Sequence, residues 1–186
     1  KIADLYKHKD CDCFIAIGGA APMDAAKAAC VLAAAGGHEL PKDLNASGLS
    51  TKLAKIYAVP VTYAPGFLVT NVSEVFDEEK NEFVWVASEG LIPFMAVLDP
   101  KATLSTTPRG RSLYAMEVLS RAFEASMQPA DNPVADIYAR AAIELVRKYL
   151  PLVIDDAKRT READNAMANA ALYAGIAFSH TAKGIL

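Results

Sequence analysis

The run Phe14-Ile15-Ala16-Ile17-Gly18-Gly19-Ala20-Ala21-Pro22-Met23-Asp24-Ala25-Ala26-Lys27 carries an apolar strand through two glycines into an alanine-rich helix. A short, continuously apolar strand has to be covered by another layer, and a helix that follows at once supplies that cover, so the segment commits the chain to an α/β arrangement. The same turn suits an anion. Gly18 and Gly19 let backbone approach a ligand with no Cβ in the way, and the helix start behind them offers unpaired N–H groups and positive dipole to a pyrophosphate. Pro22 fits a first helical turn. A glycine pair also serves an ordinary tight turn, so spacing alone leaves both readings open.

Composition narrows the ligand. The chain has 186 residues, 53% of them hydrophobic, enough for a real core in one domain or parts of two. Its net charge is −3, with both signs scattered along the sequence. Neither a nucleic-acid surface nor a membrane surface is indicated, and a small molecule is the default partner. Apolar stretches are broken by Gly, Pro or charge well short of a membrane span, and no basic-then-apolar leader is visible, so the chain reads as soluble and cytoplasmic. Cys11, Cys13 and Cys30 are too few for a disulfide framework, and Cys-x-Cys without a second pair is no zinc motif; they are expected to be reduced and mostly packed. The start at Lys1 and the stop at Leu186 inside a helical pattern suggest that both ends are cut.

Periodicity predicts a helix over 2–9, a strand over 14–17, a helix over 24–35 ended by Gly36-Gly37, and a strand over 55–62. Stretches 70–76 and 82–87 flank a charged Asp77–Asn81 turn and read as a hairpin; 95–98 makes a further short strand. After Pro108 the pattern turns helical, over 112–127, 133–149 and 160–180, with Pro129, Pro133 and Pro151 as punctuation. The expected organisation is an α/β dinucleotide-binding portion over 1–107 and part of an all-helical domain over 108–186.

In this order the pieces resemble the iron-containing (group III) alcohol dehydrogenase family, collinearly and over nearly the whole chain. The family loop Gly-Gly-Gly-Ser-x-x-Asp-x-Ala-Lys corresponds to Gly18 through Lys27. Leu91-Ile92-Pro93, Ala96 to Pro100, Thr103-Leu104 and Pro108 are similar to the family's connection between its domains. Ala122-Phe123-Glu124-Ala125, Asn132 to Asp136 and Ala174-Gly175-Ile176-Ala177-Phe178 resemble its helical domain. The resemblance implies a dehydroquinate synthase-like architecture, NAD or NADP as cofactor, a divalent metal (iron or zinc), and interconversion of an alcohol with an aldehyde or ketone. It implies a possible homo-oligomer, with no nucleic-acid or membrane partner.

By the same resemblance, Gly18, Gly19, Ala20, Asp24, Lys27 and Thr62 are the cofactor-binding candidates. Asp24 and Lys27 also admit a plainer reading, as solvent-facing residues on the first turns of a helix. The family loop Thr-Thr-x-Gly-Thr-Gly-Ser-Glu aligns with Val61 to Leu68, which keeps a Thr and a Gly but replaces the Ser-Glu pair by Phe67-Leu68. The family sets Asp and His four residues apart on one helix as metal ligands, with two further histidines downstream. Glu117 and Arg121 stand at the matching positions, and a guanidinium cannot ligate a cation. One expectation is therefore that Arg121, held by Glu117 one turn earlier, takes over the metal's charge; the other is an ordinary exposed i,i+4 pair. His8, His38 and His180 are assigned no role, Glu124 is read as structural, and no catalytic residue is named. An alternative to the oxidoreductase is an inactive homologue acting as a binding or assembly subunit, motivated by changes in both the metal pair and the cofactor loop. A further one is a superfamily relative acting on a phosphorylated or polyol substrate.

Overall fold

A computed structural model describes residues 1–36, 40, 53–63, 66–78, 81–103, 105–127 and 132–181. They form two compact units: Lys1–Val59 with Asn71–Val97, and Pro60–Thr70 with Leu98–Leu186. The division at Val97 falls earlier than the expected 107, and it assigns the segment after the second strand to the helical unit.

The first unit opens with helix α1 (Ile2–His8), strand β1 (Cys13–Gly18) and helix α2 (Ala20–Ala35). Strand β2 (Lys55–Pro60), the hairpin β3 (Val72–Asp77) and β4 (Glu82–Ala87), and the short β5 (Met95–Ala96) follow. One sheet runs in the order β1-β2-β5, with β2 and β5 parallel and Tyr57 opposite Met95. Alternation along β1 buries Phe14 and Ala16 and exposes Ile15 and Ile17. Phe14 stacks on Tyr6 of α1 at 4.5 Å and joins Ala29, Cys30 and Val31 of α2 and Ile56 of β2 in one core. The hairpin pairs in register from Val72 opposite Ala87 to Asp77 opposite Glu82, and Asn81 takes the left-handed conformation its turn needs. Glu79 and Lys80 of the expected charged turn lie outside the described residues.

The second unit is built on α3 (Pro108–Met127), α4 (Pro133–Val153) and α5 (Arg161–Thr181). Ala115, Ala122, Ala142, Ala170 and Ala174 are buried along the three helices, and Val118, Val146 and Met167 fill the space around them. Small side chains at such contacts let helix axes approach closely, so burial is set by backbone proximity as much as by side-chain bulk. Asn132 caps α4 by accepting the N–H groups of Val134 and Ala135, with Pro133 in the first turn. Pro151 does not end this helix at 149 as expected. It sits in the final turn, where the helix continues to Val153. Arg111, buried at the start of α3, donates to the Thr106 carbonyl at 2.5 Å and pairs with Asp156 in the α4–α5 connection. Among the described residues no helix is long and apolar enough to cross a membrane.

Candidate functional site

The glycine turn has the form expected, for a reason partly different from the expected one. Gly18 ends β1 at φ 153, and a Cβ there would meet Pro22 Cγ at 2.5 Å and Cβ at 2.8 Å. The space a side chain would need is taken by the chain's own proline, so Gly18 is required by the turn itself. Gly19 is the N-cap of α2, which has no side-chain cap and no acidic residue in its first turn. The helix therefore begins four residues before the expected start at Asp24, and the Ala20 and Ala21 amides stand in its first turn, where intrahelical acceptors are lacking. That geometry presents donors and positive dipole to an anion.

Asp24 and Lys27 are not solvent-facing. Lys27 is 1% exposed and donates from Nζ to the Val72 carbonyl at 2.9 Å; Asp24 is 6% exposed and accepts the Glu74 N–H at 3.1 Å. The Ser73 hydroxyl adds a bond to the Asp24 carbonyl at 3.0 Å. Together they tie α2 to the first residues of β3. Burial pushes the Asp24 carboxyl up to about 6, against the Glu74 N–H and the Lys27 charge, which pull it down. Burial brings Lys27 down to about 8, with Asp24 opposing.

These shifts give a testable pH dependence. Between about pH 4 and 6 the folded state keeps a proton on Asp24 that the unfolded chain has released, so stability falls as pH rises through that window, by about 3 kcal/mol. For Lys27 the sign reverses: the unfolded chain holds the extra proton between about 8 and 10.5, so stability falls as pH drops through that range. Asp24→Asn keeps an oxygen for the Glu74 amide and removes the charge. In urea unfolding at pH 4 and pH 7 the wild type should lose about 3 kcal/mol relative to this variant. Parallel losses in the two proteins would show that Asp24 titrates normally.

On the helical unit, the segment that resembles the second cofactor loop is folded against α5 and the approach to α3. Tyr63 is 1% exposed, and its hydroxyl donates to Asp164 Oδ1 at 2.6 Å. Arg159 Nε reaches both oxygens of Asp164, at 2.9 and 3.1 Å, and Arg159 also donates to the Thr103 carbonyl at 3.1 Å. Burial first, and then the Asp164 bond, raise the Tyr63 phenol well above its ordinary range. Gly66, at φ 86, lies against Gly175 of α5: a Cβ on Gly175 would fall on Gly66 Cα, with Gly66 N at 2.9 Å and Val69 Cγ2 at 3.1 Å. Leu68 is 3% exposed. The hydroxyl of Thr62 is buried and has no hydrogen-bond partner among the described residues. Such an orphan costs stability, and, being buried, it is closed to a ligand approaching from solvent. Ala64 and Pro65 lie outside the described residues.

Glu117 and Arg121 lie on α3, but the expected pairing is corrected. Arg121 makes its ion pair with Glu124, at 3.6 Å, and its guanidinium lies 4.6 Å from the centroid of the Phe178 ring. The i,i+3 carboxylate wins because Arg121 leans over Phe178 of α5, while Glu117 is half-buried with its carboxyl raised by desolvation and lowered less by Arg121. The side chain of Arg121 is 23% exposed, so this is not the ordinary exposed pair either. Glu124, read from sequence as structural, is the partner in this ion pair. Among the described residues no three His, Cys, Asp or Glu side chains cluster to hold a metal ion. With a guanidinium in one ligand position, the described donor set does not fit a divalent metal.

Of the other residues, Cys30 is buried with its thiol raised by burial, and Cys11 is exposed, contrary to the packed environment expected for it. His8 is exposed, its Nδ1 within 2.8 Å of the Asp4 carbonyl. His38 lies outside the described residues. Sequence reasoning missed Asp164 and Arg159 altogether. The one local signal was a charged pair beside an alanine-rich helix, which most often means a solvated end.

The profile of the iron-containing alcohol dehydrogenase family matches residues 1–100, and that of the C-terminal part of the Fe-containing alcohol dehydrogenases matches 114–186. The NAD-dependent methanol dehydrogenase of Bacillus methanolicus is 29% identical over 98% of this chain and 48% of its own length. The choline dehydrogenase of Bacillus subtilis is 30% identical over 98% of the chain and 46% of its own. The chain thus spans about half the length of these curated relatives. Among solved structures, a sulfoacetaldehyde reductase from Bifidobacterium kashiwanohense, in complex with NAD+, superposes with a TM-score of 0.82 at 30% identity, over 95% of this chain and 47% of that one. An iron-containing alcohol dehydrogenase from Thermotoga maritima superposes with a TM-score of 0.84 at 27% identity, over 97% and 48%. The two profiles between them cover the strand, glycine turn and helix of the first unit and most of the helical unit, and the chain belongs to the iron-containing alcohol dehydrogenase family.

Proposed function

We propose that the chain serves an NAD(P)-dependent oxidoreductase that interconverts an alcohol and an aldehyde or ketone. The observation that carries this reading is the uncapped start of α2 behind Gly18 and Gly19, a donor-rich anion site in a chain of this family. The nicotinamide ring, when bound, supplies or accepts the hydride. Gly19 and the first-turn amides at Ala20 and Ala21 hold the pyrophosphate. Asp24 and Lys27 act one layer back, by fixing the second turn of α2 to β3.

On the helical unit we place the reacting oxygen by Glu117 and Arg121. A fixed guanidinium stabilises developing negative charge on that oxygen by preorganised electrostatics. No metal step is assigned to the described residues, because their donor set does not fit one. The alternative of an inactive binding or assembly subunit gains no support from the relatives named above, which are dehydrogenases and a reductase by name.

The test is oxidation of NADH and NADPH by the full-length protein with short aldehydes, with and without ferrous iron or zinc. Turnover without added metal, lost in Arg121→Gln by about 100-fold or more, is the expected result. Absence of both turnover and cofactor binding in folded protein would overturn the proposal.

A further inference from the structure

We propose that the outer edge of β4 is a self-association surface, on which β4 of a second copy of this chain adds antiparallel and extends the hairpin into one continuous sheet across a two-fold axis. The surface lies wholly within the first unit and does not depend on the cofactor reading.

The two edges of the hairpin differ. The Asn71 carbonyl accepts the Ser88 N–H at 2.8 Å, so the ladder exchanges its bonds at Asn71–Ser88 and, alternating from there, at Ser73–Val86 and Val75–Val84. The backbone groups of Val72 and Glu74 on one strand, and of Phe83, Trp85 and Ala87 on the other, therefore point away from the hairpin. On the β3 side they are taken up by α2: Lys27 donates to the Val72 carbonyl, and Asp24 accepts the Glu74 N–H. On the β4 side they have no backbone partner among the described residues.

Nothing in the strand blunts this edge. Open edges are ordinarily protected by a Lys, a Pro or a bulge. Glu82-Phe83-Val84-Trp85-Val86-Ala87 pairs with β3 without a bulge, and its one charge is at the first residue. Phe, Val and Trp fill its middle, a composition that readily accepts a further strand. The side chains add to the backbone. Phe76, Phe83 and Trp85 share one face of the hairpin and are 50%, 62% and 45% exposed, with the two Phe rings edge to face at 5.2 Å. Buried Val86 lies on the opposite face.

The register available to β4 selects a second copy as the occupant. Opposed residues in an antiparallel pair share a face, and a self-pairing centred on Val84 sets Phe83 against Trp85 of the second copy. Those two residues then exchange the backbone bonds that now point outward, and the aromatic row Phe76, Phe83, Trp85 runs across the junction. Glu82 falls opposite Val86 of the second copy, so no two carboxylates oppose each other. β4 thus supplies both halves of the fit, as an isologous two-fold contact requires. The exposed parts of the three rings amount to roughly 300 Å² per copy, taking about 200 Å² for a whole aromatic side chain. Two copies bury about 600 Å² of this surface, short of the ~1,200 Å² at which stable interfaces begin, so the dimer forms with rising concentration.

The full-length protein is examined by sedimentation velocity over a wide range of concentration, with amide hydrogen exchange read at both ends of the range. The expected result is a monomer–dimer equilibrium in which the Phe83 and Trp85 amides become protected as the dimer forms, while those of Val84 and Val86, bonded to β3, are protected throughout. Trp85→Lys, which places a charge on the edge, should weaken the dimer about tenfold or more. Phe76→Lys, on the same face but one strand in, should leave it within about twofold. The exchange measurement on the wild type decides the matter if Trp85→Lys does not fold. A monomer at every concentration overturns the proposal. So does a dimer whose Phe83 and Trp85 amides still exchange rapidly, which would place the contact elsewhere, and so does protection of these amides in the monomer, which would show the edge covered by the rest of the same polypeptide. Equal weakening by Phe76→Lys and Trp85→Lys would overturn edge pairing in favour of a contact between aromatic faces.

Discussion

Gly175→Ala should lower the stability of the helical unit by about 3 kcal/mol, a fall of roughly 6–12 °C in melting temperature. Helix propensity alone points the other way, since alanine inside a helix is favoured over glycine by about 1 kcal/mol. The steric term wins because the added methyl has no room: it would land on the Gly66 backbone and close to Val69. A side-chain neighbour could rotate away, but here the backbone itself has to move, and the Tyr63 anchor resists that movement. Calorimetry of the variant checks the sign first. A rise in melting temperature would mean that propensity dominates and that the two glycine backbones are not in contact.

A second large effect is expected at the glycine turn that ends β1. Gly18→Ala should cost about 2–4 kcal/mol, combining a backbone conformation costly for any L side chain with the overlap on the Pro22 ring. The two contributions are separable. Pro22→Ala in the Gly18→Ala background removes the ring and should recover the overlap part, leaving about 1–3 kcal/mol from φ. Full recovery would show that the backbone at Gly18 is not strained, and no recovery would show that Pro22 is not the obstacle. Chemical denaturation of the three proteins gives the comparison directly.

What could be read from sequence was mostly what is local. β1, α2 and the β3–β4 hairpin were legible because their hydrophobic period and turn residues act over a few positions. Helix ends were less so: Pro151 looks like a stop but is tolerated in a final turn, and Gly19 as an N-cap moves the start of α2 ahead of Pro22. The site followed the same division. The glycine turn was visible from Gly18, Gly19 and Pro22, whereas the Tyr63 bond to Asp164 joins residues 101 positions apart. No periodicity encodes such a contact. Asp24 and Lys27 show a different failure, since charged residues in early helical turns are ordinarily solvated and only the tertiary position of β3 buries them. At Arg121 the choice between Glu117 and Glu124 turned on the Phe178 ring of another helix, which i,i+4 spacing cannot reveal.

The division of the chain into interleaved units also bears on inheritance. Because the second unit claims Pro60–Thr70 as well as everything from Leu98 onward, the sequence passes from one unit to the other three times, after Val59, Thr70 and Val97. A single recombination event in the gene therefore cannot exchange one unit whole. A hybrid joined near residue 98 would keep Tyr63 and Gly66 from one parent and receive the counterparts of Asp164 and Gly175 from the other. Such hybrids should fold well only when the incoming helices offer a carboxylate and a bare backbone at those two places, so the loop and the helices have to be inherited as a matched pair.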